Sequence, residues 1–236
     1  MKLLGSLVLG LAVVLATLLS RTEIVSAHDP GYTSSFMFDE CEGFSSNDDN
    51  PFFSLEPGFR LVLEGEEDGE EIRVVITVLN KTKVITGVTT RVVEERETID
   101  GELFEVSRNY YAICNRDNSV VYFGEDVDFY ENGVIVGHDG AWRAGVNGAK
   151  PGIIMPGVQL LGARYMQEIA PGVALDRAET VSVTSDVETP AGSFKRCLKT
   201  KETTPLEPGV TFKFYAPDIG LVKDGVLELV EVSGDD

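Results

Sequence analysis

Two histidines, one tryptophan and three cysteines are all that this 236-residue chain holds of several side chains on which catalysis, metal binding and redox chemistry lean most. There is no Gly-x-Ser-x-Gly elbow, no glycine-rich phosphate loop, and no cysteine pair at a metal or redox spacing. A Ser-His-Asp triad would have to use His138, which stands beside Asp139 in the turn-like stretch "VGHDGAW". Basic residues are scarce as well. Lys and Arg number 20 against 39 Asp and Glu, a formal net charge of −19. That balance argues against nucleic acid and anionic membrane surfaces as partners. Carboxylates this numerous can always be paired on paper for glycosidase work, and no spacing singles out a pair. The residues point away from an enzyme.

Long apolar runs are missing except at the start. Lys2 precedes the run Leu3–Leu19, and "EIVSA" puts Val25 and Ala27 at the small-residue positions of a cleavage site. This is the pattern of a secretory signal peptide over residues 1–27. The run is slightly short for a bilayer crossing, which takes about 20 residues. No cysteine follows directly, which argues against a lipid-anchored start. The expectation is an exported protein, periplasmic or extracellular, with no transmembrane segment after cleavage. An acidic surface also favours solubility.

Helical periodicity is the third absence. Beyond residue 27 no window of 11 or more residues carries a convincing helical stripe. Residues 28–54, rich in Asp, Ser, Asn, Gly and Pro, read as an irregular lead-in partly pinned by Phe36, Phe38, Phe52 and Phe53. From Leu55 onward the chain reads as strands joined by Asp68-Gly69, Asp100-Gly101, Asn132-Gly133 and Asp224-Gly225, the dipeptides that two-residue hairpin turns prefer. Alternation is visible in "ELFEVSRNYYAIC", where Leu103, Glu105, Ser107 and Asn109 oppose Phe104, Val106, Arg108 and Tyr110. The expected fold is all-β: a single domain over residues 55–236, an antiparallel meander of roughly ten strands. A sheet that wide curls or closes, giving a curved half-barrel or barrel.

Three cysteines, Cys41, Cys114 and Cys197, allow one disulfide and a free thiol, or no disulfide, and spacing leaves the pairing open. Two metal sites can be written down. If cleavage follows Ala27, the His28 terminus offers an amine and an imidazole to copper, with His138 as a further nitrogen. Asp39, Glu40 and Glu42, or Asp48, Asp49 and Asn50, offer oxygens to calcium, although no calcium-loop spacing is present.

The apolar island "GAKPGIIMPGVQLLGARYMQE", residues 148–168, is bracketed by Pro151-Gly152 and Pro156-Gly157. A curved sheet has a concave face that must be filled. Ile153, Ile154, Met155, Leu160 and Leu161, with Trp142, are the candidates to fill it or to meet an apolar small molecule or lipid there. Core packing alone accounts for such residues, since burying each stabilises by roughly 1.5–3 kcal/mol. The segment reads as a non-repetitive insertion, with Leu160 to Glu168 starting the next strand.

Several stretches, "NPFFSLEPGFRLVLEGEEDGEE", "YFGEDVDFYENG", "GAWRAGVNGAKPGIIMP", "PGVALDRAETV" and "FYAPDIGLVK", resemble a set of secreted bacterial β-rich proteins over roughly residues 50–225. "TPAGSFKRC" followed by "YAPDIGLVK" is similar to periplasmic proteins of the lipoprotein-carrier type. That resemblance implies a curved antiparallel sheet around an apolar cavity, and it supplies no catalytic residues. The functional expectation is a non-catalytic exported protein that binds an apolar ligand. A metal-binding exported protein is the first alternative, and an extracellular assembly or adhesion module the second.

Overall fold

The computed structural model describes residues 31–234, so the expected leader and His28 lie outside the described residues. A 3-10 turn at Phe38–Cys41 is followed by three two-residue strands, β1 (Phe44–Ser45), β2 (Asp49–Asn50) and β3 (Phe53–Ser54). Five long strands come next: β4 (Arg60–Glu67), β5 (Glu70–Ile85), β6 (Val88–Ile99), β7 (Glu102–Cys114) and β8 (Val120–Glu131). The middle of the chain holds β9 (Val134–Gly137), β10 (Trp142–Arg143), β11 (Lys150–Met155), β12 (Arg164–Met166) and β13 (Glu168–Ile169). The last five are β14 (Arg177–Thr189), β15 (Gly192–Thr203), β16 (Thr211–Ala216), β17 (Gly220–Asp224) and β18 (Leu227–Ser233). Among the described residues there is no α-helix.

The turns follow from backbone sterics. Asp68-Gly69, Asp100-Gly101 and Asn132-Gly133 have positive φ at both positions, which is what a two-residue hairpin loop matched to strand twist demands. Thr86-Gly87 adopts the same geometry between β5 and β6 without the Asx signal.

Antiparallel pairing runs β12-β14-β15-β16-β17-β18-β4-β5-β6-β7-β8-β11-β13. The two ends of this path are consecutive in the chain. β12 pairs with β14 on one side, β13 pairs with β11 on the other, and Gln167 alone separates them. The sheet therefore comes round on itself as a barrel with one seam. Closure hides the edges that a flat meander would expose.

Apolar residues are buried in two larger clusters and a small third one of Met166, Ile169 and Leu175. One of the larger two gathers Leu55, Ile113, Val121, Tyr122, Met155 and their neighbours; the other centres on Leu63, Val74, Cys197, Val222 and Leu229. The disulfide joins Cys41 to Cys114 and leaves Cys197 as a buried thiol. It fastens the lead-in to β7, beside the pairing of Phe44 with Cys114. The lead-in is less irregular than its composition suggests, because β2 and β3 form a small hairpin over one end of the barrel. Asn50 anchors it, donating from Nδ2 to the carbonyls of Asn118 (2.9 Å) and Pro156 (3.1 Å).

The apolar island divides in two. Lys150–Met155 is not an insertion but strand β11, paired with β8 through Gly152↔Tyr122 and Ile153↔Val121. Glycine is required at 152, since a Cβ there would lie 2.3 Å from the Gln167 carbonyl oxygen. Met155 is fully buried in the larger cluster. After Pro156 the chain leaves the sheet, and Leu160 and Leu161 are 63% and 70% exposed. The backbone there is tied down by Gly157 N–H to Ser119 Oγ and Gly162 N–H to the Thr180 carbonyl, which turns those leucines outward. Core packing thus holds for Met155 and fails for Leu160 and Leu161.

Candidate functional site

Strands β6 and β7 show how the interior is furnished. The ladder sets Val93 opposite Asn109, Glu95 opposite Ser107 and Glu97 opposite Glu105. Residues two apart share a face, so this face carries Glu95, Glu97, Glu105, Ser107, Asn109 and Tyr111. It is the inward face: Glu97, Glu105, Ser107, Asn109 and Tyr111 are all buried. Next along, β8 contributes both Tyr122 and Glu125. The register shift between Asn109 and Tyr111 lets these two, an odd number of residues apart, face the same side. Gly124 makes the bulge possible, with φ of 139° and a Cβ position only 2.4 Å from the Trp142 carbonyl oxygen.

The opposite wall is polar too. β16 supplies Lys213 and Tyr215, and β17 supplies Asp224, paired across the ladder with Lys213. Lys213 Nζ lies 3.3 Å from both Glu202 Oε2 and Asp224 Oδ2. Glu202 has further donors in Thr200 Oγ1 (3.0 Å) and Gln167 Nε2 (3.2 Å). Glu95 accepts from Asn109 Nδ2 at 3.2 Å, and the Tyr122 hydroxyl donates to Asn109 Oδ1. Other oxygens have no hydrogen-bond partner: Glu97 Oε2, Glu105 Oε2, Asp224 Oδ1 and both carboxylate oxygens of Glu168.

Lys213 is the buried cation among these acids, and burial penalises every one of the negative charges. Glu95 is pushed up to about 7 by burial and by Asp224, against the pull of Lys213. Glu97 rises to about 7 through burial and Glu95. Glu105 rises to about 9 through burial and then Glu97, while Asp224 reaches about 6 through burial and Glu202, with Lys213 opposing. Burial also raises Glu125, Glu168 and Asp176. Lys213 is held above its ordinary value despite burial, because Asp224 and Glu202 face it. At neutral pH several of these carboxyls keep their protons.

A cavity of about 80 Å3, open at its mouth, occupies the end of the barrel that the β2–β3 hairpin covers. Its rim is aromatic and aliphatic: Phe52, Phe53, Phe59 and Ile219. Ile76, Val78, Val93 and Ile154 form walls, and Glu95, Asp224, Lys213, Tyr111 and Tyr215 give it a polar side. The Phe53 ring stands edge-on to Tyr111, with centroids 5.1 Å apart. An outer cleft adjoins the rim, sharing Phe53, Ser54, Phe59 and Ile219. Asp49, Glu56 and Asp218 line this cleft, and no basic side chain does.

Of the residues expected at a ligand site, only Ile154 lines this cavity. Ile153 is half-buried along β11. Trp142 is 5% exposed behind Tyr122, ring centroids 5.3 Å apart, and borders a separate cleft with Arg143 and Pro171. Its indole Nε1–H finds no hydrogen bond of normal geometry, though it sits near enough to Glu168 to lower that carboxyl's pKa, against the larger effect of burial. His138 is largely exposed, with Nδ1 at 2.9 Å from the Val127 carbonyl oxygen and from Asp128 Oδ1. In the lead-in, Glu40 pairs with Arg116, Asp49 accepts from Ser54 Oγ, and Asn50 is the anchor described above. Among the described residues, no three His, Cys, Asp or Glu side chains are grouped to hold a metal ion. The inward carboxylates were not foreseen, although the alternation of β7 already separated Glu105, Ser107 and Asn109 from Phe104 and Val106.

The chain matches no protein-family profile and no curated protein sequence. A solved structure described as a "putative lipoprotein" from Parabacteroides distasonis ATCC 8503 aligns over 79% of this chain and 100% of its own. Identity is 15% and the TM-score 0.39, a likeness too low to carry an argument.

Proposed function

We propose that this protein is an exported, non-catalytic binder that holds a small molecule with an apolar body in the capped end of the barrel. The cavity between Phe53, Phe59, Ile154 and Tyr111 carries this reading. Its lining supports the reading, since small-molecule sites combine apolar walls with a few convergent polar groups. The Cys41–Cys114 disulfide supports export, because disulfides persist in oxidising compartments. The leader pattern at residues 1–27 supports it independently.

Two measurements test the reading. Native mass spectrometry of protein from its own host is expected to show a non-covalent adduct that is lost on denaturation. Titration with octanol, read by Trp142 fluorescence through the Tyr111–Tyr122–Trp142 ring chain, is expected to saturate, and Ile154→Trp, read by calorimetry, is expected to abolish binding. Undiminished affinity in that filled variant would move the ligand elsewhere.

A further inference from the structure

The cavity's polar side identifies the kind of head group it takes. We infer that the occupant is an amphiphilic organic cation, an ammonium on an apolar chain, whose head sits between Glu95 and Asp224. This rests on the reading of the cavity as a ligand site and adds the chemical class of the ligand.

Three observations carry it. First, Asp224 is 3% exposed and lines the cavity, yet its Oδ1 has no hydrogen-bond partner; only Oδ2 faces Lys213. A buried acceptor without a donor is costly, and a hydrogen-bond donor on the ligand would satisfy it, a charged N–H most strongly. Second, Lys213 is already engaged by Glu202 and Asp224, so it is not a free anchor for an anionic head, while Glu95 on the facing wall has only the neutral Asn109 amide. The three carboxylates around this one lysine leave an excess of negative charge, or of protons, that an ammonium can replace. Third, the outer cleft that leads to the rim presents Asp49, Glu56 and Asp218 without a basic residue. On a chain of formal charge −19, that approach attracts cations and repels fatty-acid anions.

The rim fits the same molecule. Phe52, Phe53 and Phe59 offer ring faces and apolar edges to an alkyl or aryl body, and Tyr111 and Tyr215 lie beside the acids deeper in. Aromatic faces also attract a passing ammonium. The head would exchange for a proton on the carboxyl pair, so binding releases protons to the buffer.

The test compares octylammonium, octanol and octanoate by calorimetry on the full chain at neutral pH, in two buffers of different ionisation enthalpy. Octylammonium is expected to bind roughly 10- to 100-fold more tightly than octanol, with proton release, and octanoate more weakly than either. Glu95→Gln and Asp224→Asn should each remove about ten-fold or more of the octylammonium affinity and lower that of octanol by much less. Cooperative urea unfolding of each variant shows that it folds. Equal affinity for octylammonium and octanol, or indifference to both substitutions, overturns the cation assignment while the cavity stands as an apolar site. Preference for octanoate overturns it in favour of Lys213. Failure of all three to bind removes the cavity reading itself.

Discussion

Glu105 offers the sharpest quantitative test of a polar interior. It is 5% exposed, faces Glu97 across the β6–β7 ladder, and has one oxygen without a partner. Burial first and Glu97 second hold its pKa at about 9, against an ordinary 4.5. A group whose folded-state pKa is raised stabilises fully below the unfolded value and loses that contribution as pH rises through the folded one. For Glu105 the window runs from about pH 4.5 to about pH 9. Each pH unit inside it costs about 1.4 kcal/mol, so near pH 7.5 the folded state is weakened by about 4 kcal/mol relative to its acid form. Glutamine keeps the shape and cannot ionise. Urea unfolding of Glu105→Gln should therefore show a gain of about 4 kcal/mol near pH 7.5 and less than about 1 kcal/mol near pH 4. Acid unfolding does not confuse the low end. Burial tends to raise Asp126, but hydrogen bonds from Arg143 and Tyr110 hold it at about 2, so what it contributes is present above pH 3.8 and lost only towards pH 2. Exposed Glu102→Gln, on the same strand, serves as control. A difference between Glu105→Gln and wild type that does not grow between the two pH values refutes the assignment of Glu105 to a buried, proton-holding site.

Other expectations follow from the packing and join the two binding tests above. Replacing both Cys41 and Cys114 by serine opens a loop of 73-residue separation, and denaturant unfolding should register a loss of about 4 kcal/mol. Met155→Ala removes a fully buried side chain and should cost about 2–5 kcal/mol in the same assay. Leu160→Ser and Leu161→Ser, on the exposed loop, should stay within about 0.5 kcal/mol of wild type; a loss comparable to that of Met155→Ala would mean that the loop is packed.

Much of the architecture was legible in the sequence. Asp68-Gly69, Asp100-Gly101 and Asn132-Gly133 mark hairpins because few residues tolerate positive φ, and β-branched runs between them leave little choice but strands. The number of strands pointed to a sheet that curls or closes, as a half-barrel, a barrel or a sandwich, and the structure is the barrel. The site was not legible, for a definite reason. A period of two separates Glu105, Ser107 and Asn109 from Phe104 and Val106, but it does not say which set faces in. Hydrophobicity suggests the apolar set, and here the carboxylates turn inward beside Lys213 instead. β8 hides its contribution further, because the Gly124 bulge places Tyr122 and Glu125 on one face against the alternation. In the apolar island, side-chain chemistry predicted burial equally for Met155, Leu160 and Leu161. What separates them is the departure of the chain at Pro156, fixed by Ser119 and Thr180 far away in sequence.

The seam at Gln167 also sets where the barrel breathes. A belt gives at its buckle, and here the buckle is two short strands: β12, of three residues, holding β14, and β13, of two, holding β11. The ladders of β5 with β6 and β6 with β7 are far longer, and of the joints between the other strands that of β17 with β18 is as short as the seam, with two residue pairs. Parting a few hydrogen bonds costs far less than parting a long ladder, so local opening concentrates at such short joints, the seam among them. Amides of residues 164–169 should then exchange with solvent hydrogen well before those of β6. Each opening wets Glu168, the carboxylate buried with both oxygens unpartnered, and gives protons and water a second way into the interior, separate from the aromatic rim.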